Sequence, residues 1–421
     1  MAGTLLAPEP SLRELGRAIL SDFDHAPSAD LSAVITAAPT NGVTGVSHAP
    51  HGVTGVSRAP HGVTGGGRAP HDVRRKFDLD LKGLGTSAAR AFRPAPKPEA
   101  TGEPRLFCPG PLRDDRALGE QVNEAMLAWA EEIGIYPGRL DKLREANFGR
   151  YMMLAHPGTS DPDRLLAATK CLVAEWAADD YYVDEVSLGA DPTVVGSRLA
   201  NLYAVVDPAS LPRKYAAQKD AHHELQPISE AFRTAMEHLA RYASIAQMGR
   251  FRHQMAILFL AWNEEADWHN NRRTPPVWEY LVQRHLNSYL PPMILMDVLG
   301  GYELPPDEFY HPGVRAAFTT AGNAAVLIND LYSGKNESET DHNLPNVLVA
   351  EDKLTHRQAV LRTVEIHNEL METFMNQAAL LSATGSPALR RFLADTWAYL
   401  GGSREWHATS GRYHDSKEKK S

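Results

Sequence analysis

From Arg105 to the C-terminus, apolar residues recur at three- and four-residue intervals and never alternate for long enough to build a sheet, which confines this stretch to helices. The pattern predicts helices over Glu120 to Ile135, Asp163 to Asp180, Val194 to Val206, Ile228 to Asp267, Val277 to Leu290, Val314 to Leu331, Thr355 to Leu381 and Ala388 to Leu400. Prolines or glycines stand at nearly every junction between them. The central segments are apolar on more than one face, as the inner members of a bundle must be. The expectation is an all-α domain over residues 105–421, a bundle of roughly ten helices.

Residues 1–104 differ in kind. Ser11 to Phe23 has the spacing of a short amphipathic helix, and it leads into Ala-, Pro- and Gly-rich sequence with few large apolar side chains. Such a segment cannot bury enough surface to offset its ordering entropy, so it is expected to be disordered. Within it a ten-residue unit is repeated, over Gly42 to His51, Gly52 to His61 and Gly62 to His71. Each unit offers at most two valines to a core, which fits a flexible linker better than a solenoid. Its histidines have no second ligand nearby. Further on, Phe77 to Arg90 with Phe92 and Pro94 forms a slightly apolar patch, readable as a linear docking motif or as more linker.

Composition narrows the function. With 421 residues, 43% of them hydrophobic, a sizeable core is available, and a net charge of -9 argues against nucleic acid as partner. Two cysteines, Cys108 and Cys171, cannot make a disulfide framework. The sequence has no apolar run of bilayer length and no basic leader followed by an apolar core, so the reading is a soluble cytoplasmic protein without a membrane partner.

Chemistry concentrates at the ends of two predicted helices. Val314, Phe318, Ala321 and Ala325 form an apolar stripe that Asn329, Ser333 and Glu337 continue at i, i+4 and i+8. Four residues turn through roughly 400°, so these three oxygen donors drift little and can converge on one ion. Amide, hydroxyl and carboxylate are hard ligands, suited to Mg2+ shared with a phosphate. On the helix beginning at Pro162, Leu165, Leu172 and Asp179 share one track and Leu166, Val173, Trp176 and Asp180 its neighbour, with Asp184 and Glu185 just beyond. Four carboxylates at a helix C-terminus repel one another and the backbone dipole unless a cation is bound. Each group taken alone reads first as a solvated or capping cluster; two of them on inward-facing helices imply Mg2+ ions clamping a diphosphate. Arg284, on the track of Val277 and Tyr280, can either grip that diphosphate with its guanidinium fork or cap a helix end ahead of Pro291 and Pro292.

The acidic run Asp179 to Glu185, the run Asn329 to Glu337, Arg284 and the C-terminal pair Arg412 and Tyr413 together resemble bacterial class I terpene synthases over roughly residues 105–415. More narrowly, Phe148 to Pro157, Val277 to Pro292, Gly300 to Pro305, Val364 to Met371 and Arg404 to Tyr413 resemble the 2-methylisoborneol synthase branch, which is similar also in its long Pro/Gly-rich extension. The resemblance implies the class I terpenoid synthase helical bundle and three Mg2+ ions. It implies ionisation of 2-methylgeranyl diphosphate and cyclisation to 2-methylisoborneol or a related C11 bornane-type product. Asp179 would be the principal ligand, with Asp180, Asp184 and Glu185 in support, and Asn329, Ser333 and Glu337 would hold the third ion. Arg284 would sense the diphosphate, Asn287 and Ser288 would stand at the helix break that follows it, and Lys335, Arg412 and Tyr413 would contact the diphosphate. Two departures stand out: the later carboxylates fall five and six positions after Asp179 instead of the commoner four, and Asn336 precedes the final Glu337 where the family carries Lys or Arg.

Trp176, Tyr182, Phe259, Trp262, Trp268, Trp397 and Trp406 are candidates to line a cavity, though each reads first as an ordinary core or helix-packing residue and none is assigned a catalytic role. The resemblance also implies a homodimer and an encapsulin-type shell as partner, docked through Gly83 to Phe92. The rival functions are a sesquiterpene cyclase acting on farnesyl diphosphate, a chain-elongating prenyltransferase, which would carry a second Asp-rich motif at Asn329 to Glu337, and a non-catalytic helical interaction protein.

Overall fold

The computed structural model describes residues 104–184, 188–287, 290–334 and 341–413. The N-terminal extension, its predicted helix, its repeats and its docking patch lie outside them. All the regular structure among the described residues is helical. In order these are α1 (Arg116–Ile133), α2 (Leu140–Ala146), α3 (Phe148–Ala155) and α4 (Pro162–Asp179), the last running into a π-helical turn, Asp180–Asp184. Then come α5 (Val195–Val206), α6 (Arg213–Glu224), α7 (Pro227–Leu239), α8 (Ile245–Asn270) and α9 (Val277–Arg284). The short α10 (Leu290–Met293), α11 (Met296–Gly300) and α12 (Pro306–Phe309) lead to α13 (Pro312–Ser333), α14 (Leu344–Asp352), α15 (His356–Thr384) and α16 (Pro387–Thr409).

Most starts are dictated locally. Asp161 accepts the amides of Asp163 and Arg164 ahead of Pro162, and Pro312 likewise opens α13 in the first turn, where its missing N–H costs nothing. The expectation of one helix from Ile228 to Asp267 is corrected: the chain turns at residues 240–244, and a capping box between Ser244 and Gln247 starts α8 afresh. The segment predicted to reach Leu290 ends at Arg284, several residues ahead of Pro291 and Pro292, which open the next short helix.

The bundle closes around α13, which packs along α15 and α16 and buries residues on all sides, from Val314 through Ala321 and Val326 to Tyr332. On the other side α4 packs against α7 and α1, and α3 is wedged between α1 and α16. These crossings are close. A Cβ on Gly149 would stand inside contact distance of the α1 backbone at Asn123, and one on Gly402 would strike the Leu154 carbonyl. α4, α8, α9 and α13 all end towards one rim of the bundle, and that common end holds the cleft described next.

Three histidines are sealed in this core. Burial pushes His156 and His407 down to about 3 and His367 to about 4. In the unfolded chain each would take up its proton near 6.5, so between 6.5 and the folded value the unfolded state binds more protons and stability falls as pH falls. His367, fully buried on α15, isolates the effect. The stability gap between the wild type and H367Q is expected to shrink by about 2 kcal/mol on going from pH 7 to pH 5. Denaturant titrations of the two proteins at both pH values measure it, and a gap independent of pH would refute it.

Candidate active site

A cavity of about 360 Å3 opens among the ends of α4, α8, α9 and α13, with the C-terminal residues Arg412 and Tyr413 along one wall. Asp179 faces it, half-buried. Burial, then the charges of Asp184, Glu265 and Asp180, pushes its carboxyl well above the usual carboxylate range, with Arg412 acting the other way. Such crowding is what a bound cation would relieve.

The five-residue spacing from Asp179 to Asp184 has a structural explanation. Asp180–Asp184 is a π-helical turn, whose hydrogen bonds close from i to i+5, so a carboxylate five positions on returns to the face of the first. Asp184 accordingly lines the cavity beside Asp179. Asp180 turns towards Tyr136, whose hydroxyl donates to its Oδ2 at 2.7 Å. Glu185 lies outside the described residues.

Across the cleft, Asn329 and Ser333 line the cavity from the last turns of α13. Asn329 Oδ1 accepts from Arg284 Nη2 at 3.0 Å, and its Nδ2 donates to the Tyr413 hydroxyl at 2.9 Å, so one amide ties α9 to α13 and to the C-terminal segment. Arg284, with 12% of its side chain exposed, also donates through Nε and Nη2 to Asp330 Oδ1 at 3.0 and 2.7 Å. The second oxygen of Asp330 accepts from the Tyr280 hydroxyl at 2.8 Å and the Leu344 amide at 3.1 Å. Arg412 reaches into the cleft with its guanidinium 3.8 Å from the centre of the Trp176 ring, and Tyr413 stacks on His407.

Ser333 Oγ is buried and has no hydrogen-bond partner among the described residues. A buried hydroxyl of this kind is costly unless something accepts or coordinates it, and with Asn329, Asp179 and Asp184 it makes an all-oxygen donor set that fits Mg2+. Among the described residues no three His, Cys, Asp or Glu side chains are grouped so as to hold an ion, and the donors gathered at the cleft include an amide and a hydroxyl. Glu337, Lys335 and Ser288 lie outside the described residues.

Asn287 lines the cavity as well. Its Oδ1 accepts from Trp262 Nε1 at 3.1 Å and its Nδ2 donates to Glu265 Oε2 at 2.7 Å. Of the aromatic candidates, Trp176 and Trp262 line the cavity, whereas Trp268, Trp397 and Trp406 are buried in the packing and Phe259 stacks behind Trp262. Sequence reasoning missed Asp330, Glu265, Glu175 and Tyr136. Glu265 could have been found, since it follows Leu258 and Trp262 on one helical face and closes that apolar stripe in acid, as Asp179 does on α4.

Residues 170–373 match the family model "Terpene synthase family 2, C-terminal metal binding". The 2-methylisoborneol synthase of Streptomyces griseus is 35% identical over 340 residues, covering 78% of this chain and 77% of its own. That of Streptomyces ambofaciens is 36% identical over 328 residues, covering 75% and 73%. The crystal structure of 2-methylisoborneol synthase from Streptomyces coelicolor A3(2) in complex with Mg2+ and 2-fluoroneryl diphosphate superposes with a TM-score of 0.70 at 34% identity, over 73% of this chain and 96% of that one. With the cleft geometry and these relatives in agreement, the chain belongs to the terpene synthase family and is a terpene cyclase, a lyase acting on prenyl diphosphates.

Proposed function

We propose that this cyclase ionises 2-methylgeranyl diphosphate in a Mg2+-dependent step and closes the cation to 2-methylisoborneol or a related C11 bornane-type product. The observation that carries the reading is a single cavity lined both by oxygen and guanidinium groups, from Asp179, Asp184, Asn329, Ser333, Arg284 and Arg412, and by the indoles of Trp176 and Trp262. Three Mg2+ ions, when bound, neutralise the charge that grows on the leaving diphosphate as its carbon–oxygen bond ionises. Asp179 and Asp184 on one side, and Asn329, Ser333 and Glu337 on the other, are the residues to hold them. Arg284, Arg412, Tyr413 and Lys335 grip the diphosphate by charge and hydrogen bonding. Asn287, fixed between Trp262 and Glu265, sets the wall at the break after α9, next to Ser288. Trp262 is the indole placed to stabilise the migrating positive charge, since the Trp176 ring already carries the Arg412 guanidinium.

The C11 substrate is supported by the similarity to 2-methylisoborneol synthases. Incubating the protein and Mg2+ separately with geranyl, 2-methylgeranyl and farnesyl diphosphates, with products read by gas chromatography and mass spectrometry, decides it. A bicyclic C11 product formed preferentially from the methylated substrate is expected. Preference for farnesyl diphosphate would overturn the substrate assignment.

Residues 83–92 are proposed, on their sequence, as the docking motif for an encapsulin-type shell. A chain beginning after residue 100 should keep its turnover and lose loading into a co-expressed shell; unchanged loading removes the assignment.

A further inference from the structure

One polar group in the cavity has no part in gripping a diphosphate. Glu175 sits on α4 four residues, about 6 Å of helix rise, before Asp179. It lines the cavity together with Trp176, Leu258 and Trp262. The side chain is 3% exposed, and its Oε1 has no hydrogen-bond partner among the described residues. Burial alone pushes its carboxyl well above the usual range. A buried carboxyl in the wall of an indole-lined space costs more than an apolar side chain there would, unless a small polar ligand completes it, and water is the smallest.

We propose that Glu175 positions the water that captures the last carbocation and thereby sets alcohol over olefin; this rests on the cyclase reading above. Whether or not it carries a proton, the Glu175 carboxyl accepts one hydrogen of that water and leaves an oxygen lone pair facing the cation. The lone pair forms the carbon–oxygen bond, and the resulting oxonium loses its proton to an oxygen of the diphosphate released at ionisation. When no water is held there, the same cation loses a proton from a neighbouring carbon to the same diphosphate and closes as an alkene. Both outcomes balance without any further reactant.

The test uses the full chain with Mg2+ and 2-methylgeranyl diphosphate in water labelled with oxygen-18, and reads the ratio of labelled alcohol to olefin at whatever rate diphosphate is released. E175L and E175M, which keep the volume and remove the acceptor, are expected to lower that ratio by about tenfold, equivalent to roughly 1.4 kcal/mol between the two exits. E175Q, which keeps an acceptor oxygen, should retain the wild-type ratio. A wild-type ratio in E175L or E175M overturns the proposal, as does a wild type that makes only olefin. E175M carries the test if E175L fails to fold. If the wild type prefers farnesyl diphosphate, the substrate assignment fails separately, and the alcohol fraction is read on that substrate's products.

Discussion

Replacing Asn329 with alanine is expected to lower turnover on the order of 10³-fold, about 4 kcal/mol of transition-state stabilisation, while leaving the fold close to intact. The size follows from what the amide does. Its oxygen is proposed as part of the donor set that Ser333 continues one turn later, and its two ends bond Arg284 and Tyr413 across the cleft. Alanine removes the ligand and both tethers together. The fold should tolerate the change because Asn329 is only half-buried and α13 is anchored by the residues on its other faces. Diphosphate release at saturating Mg2+ gives the rate and a melting curve gives the fold. S333A should fall in the same range; full activity in either variant would remove the metal assignment.

Asp330→Ala should act on stability first. Asp330 is 1% exposed and accepts from Arg284, Tyr280 and the Leu344 amide. Without it the largely buried guanidinium of Arg284 keeps its charge and loses its counterion, a change that costs about 3–5 kcal/mol in buried pairs. Asp330→Asn, which retains an acceptor for Tyr280 and Leu344, should cost less. Denaturant titration measures both, and D330A unfolding at the wild-type midpoint would show that the pair contributes nothing. Because the same carboxylate aims Arg284, turnover should fall with stability.

What the sequence made legible was whatever a single helix decides. Asn329 and Ser333 continue a stripe that α13 alone defines, and Asp179 closes one that α4 defines, so spacing was enough to aim them at a common interior. Arg284 followed from the track of Tyr280 in the same way. Asp330 was hidden because its neighbours come from α9 and α14, and adjacency to Asn329 in sequence places it on a different face. Tyr136 as the partner of Asp180 depends on the crossing of chain segments 44 residues apart. The break at residues 240–244 was missed because the apolar period carries through it; only the Ser244 and Gln247 pair marks it. Asp184 was ambiguous for a further reason: position counted on an ordinary α-turn puts it off the face of Asp179, and a change of helix type has no simple sequence signature.

That change of helix type should make the motif tolerant of a one-residue deletion. Removing one residue from Tyr181, Tyr182 or Val183 would let the turn close from i to i+4, and the following carboxylate would still return to the face of Asp179. A lineage could therefore shorten this turn by one codon without first losing the convergence of the two carboxylates, since the change in winding offsets the lost residue.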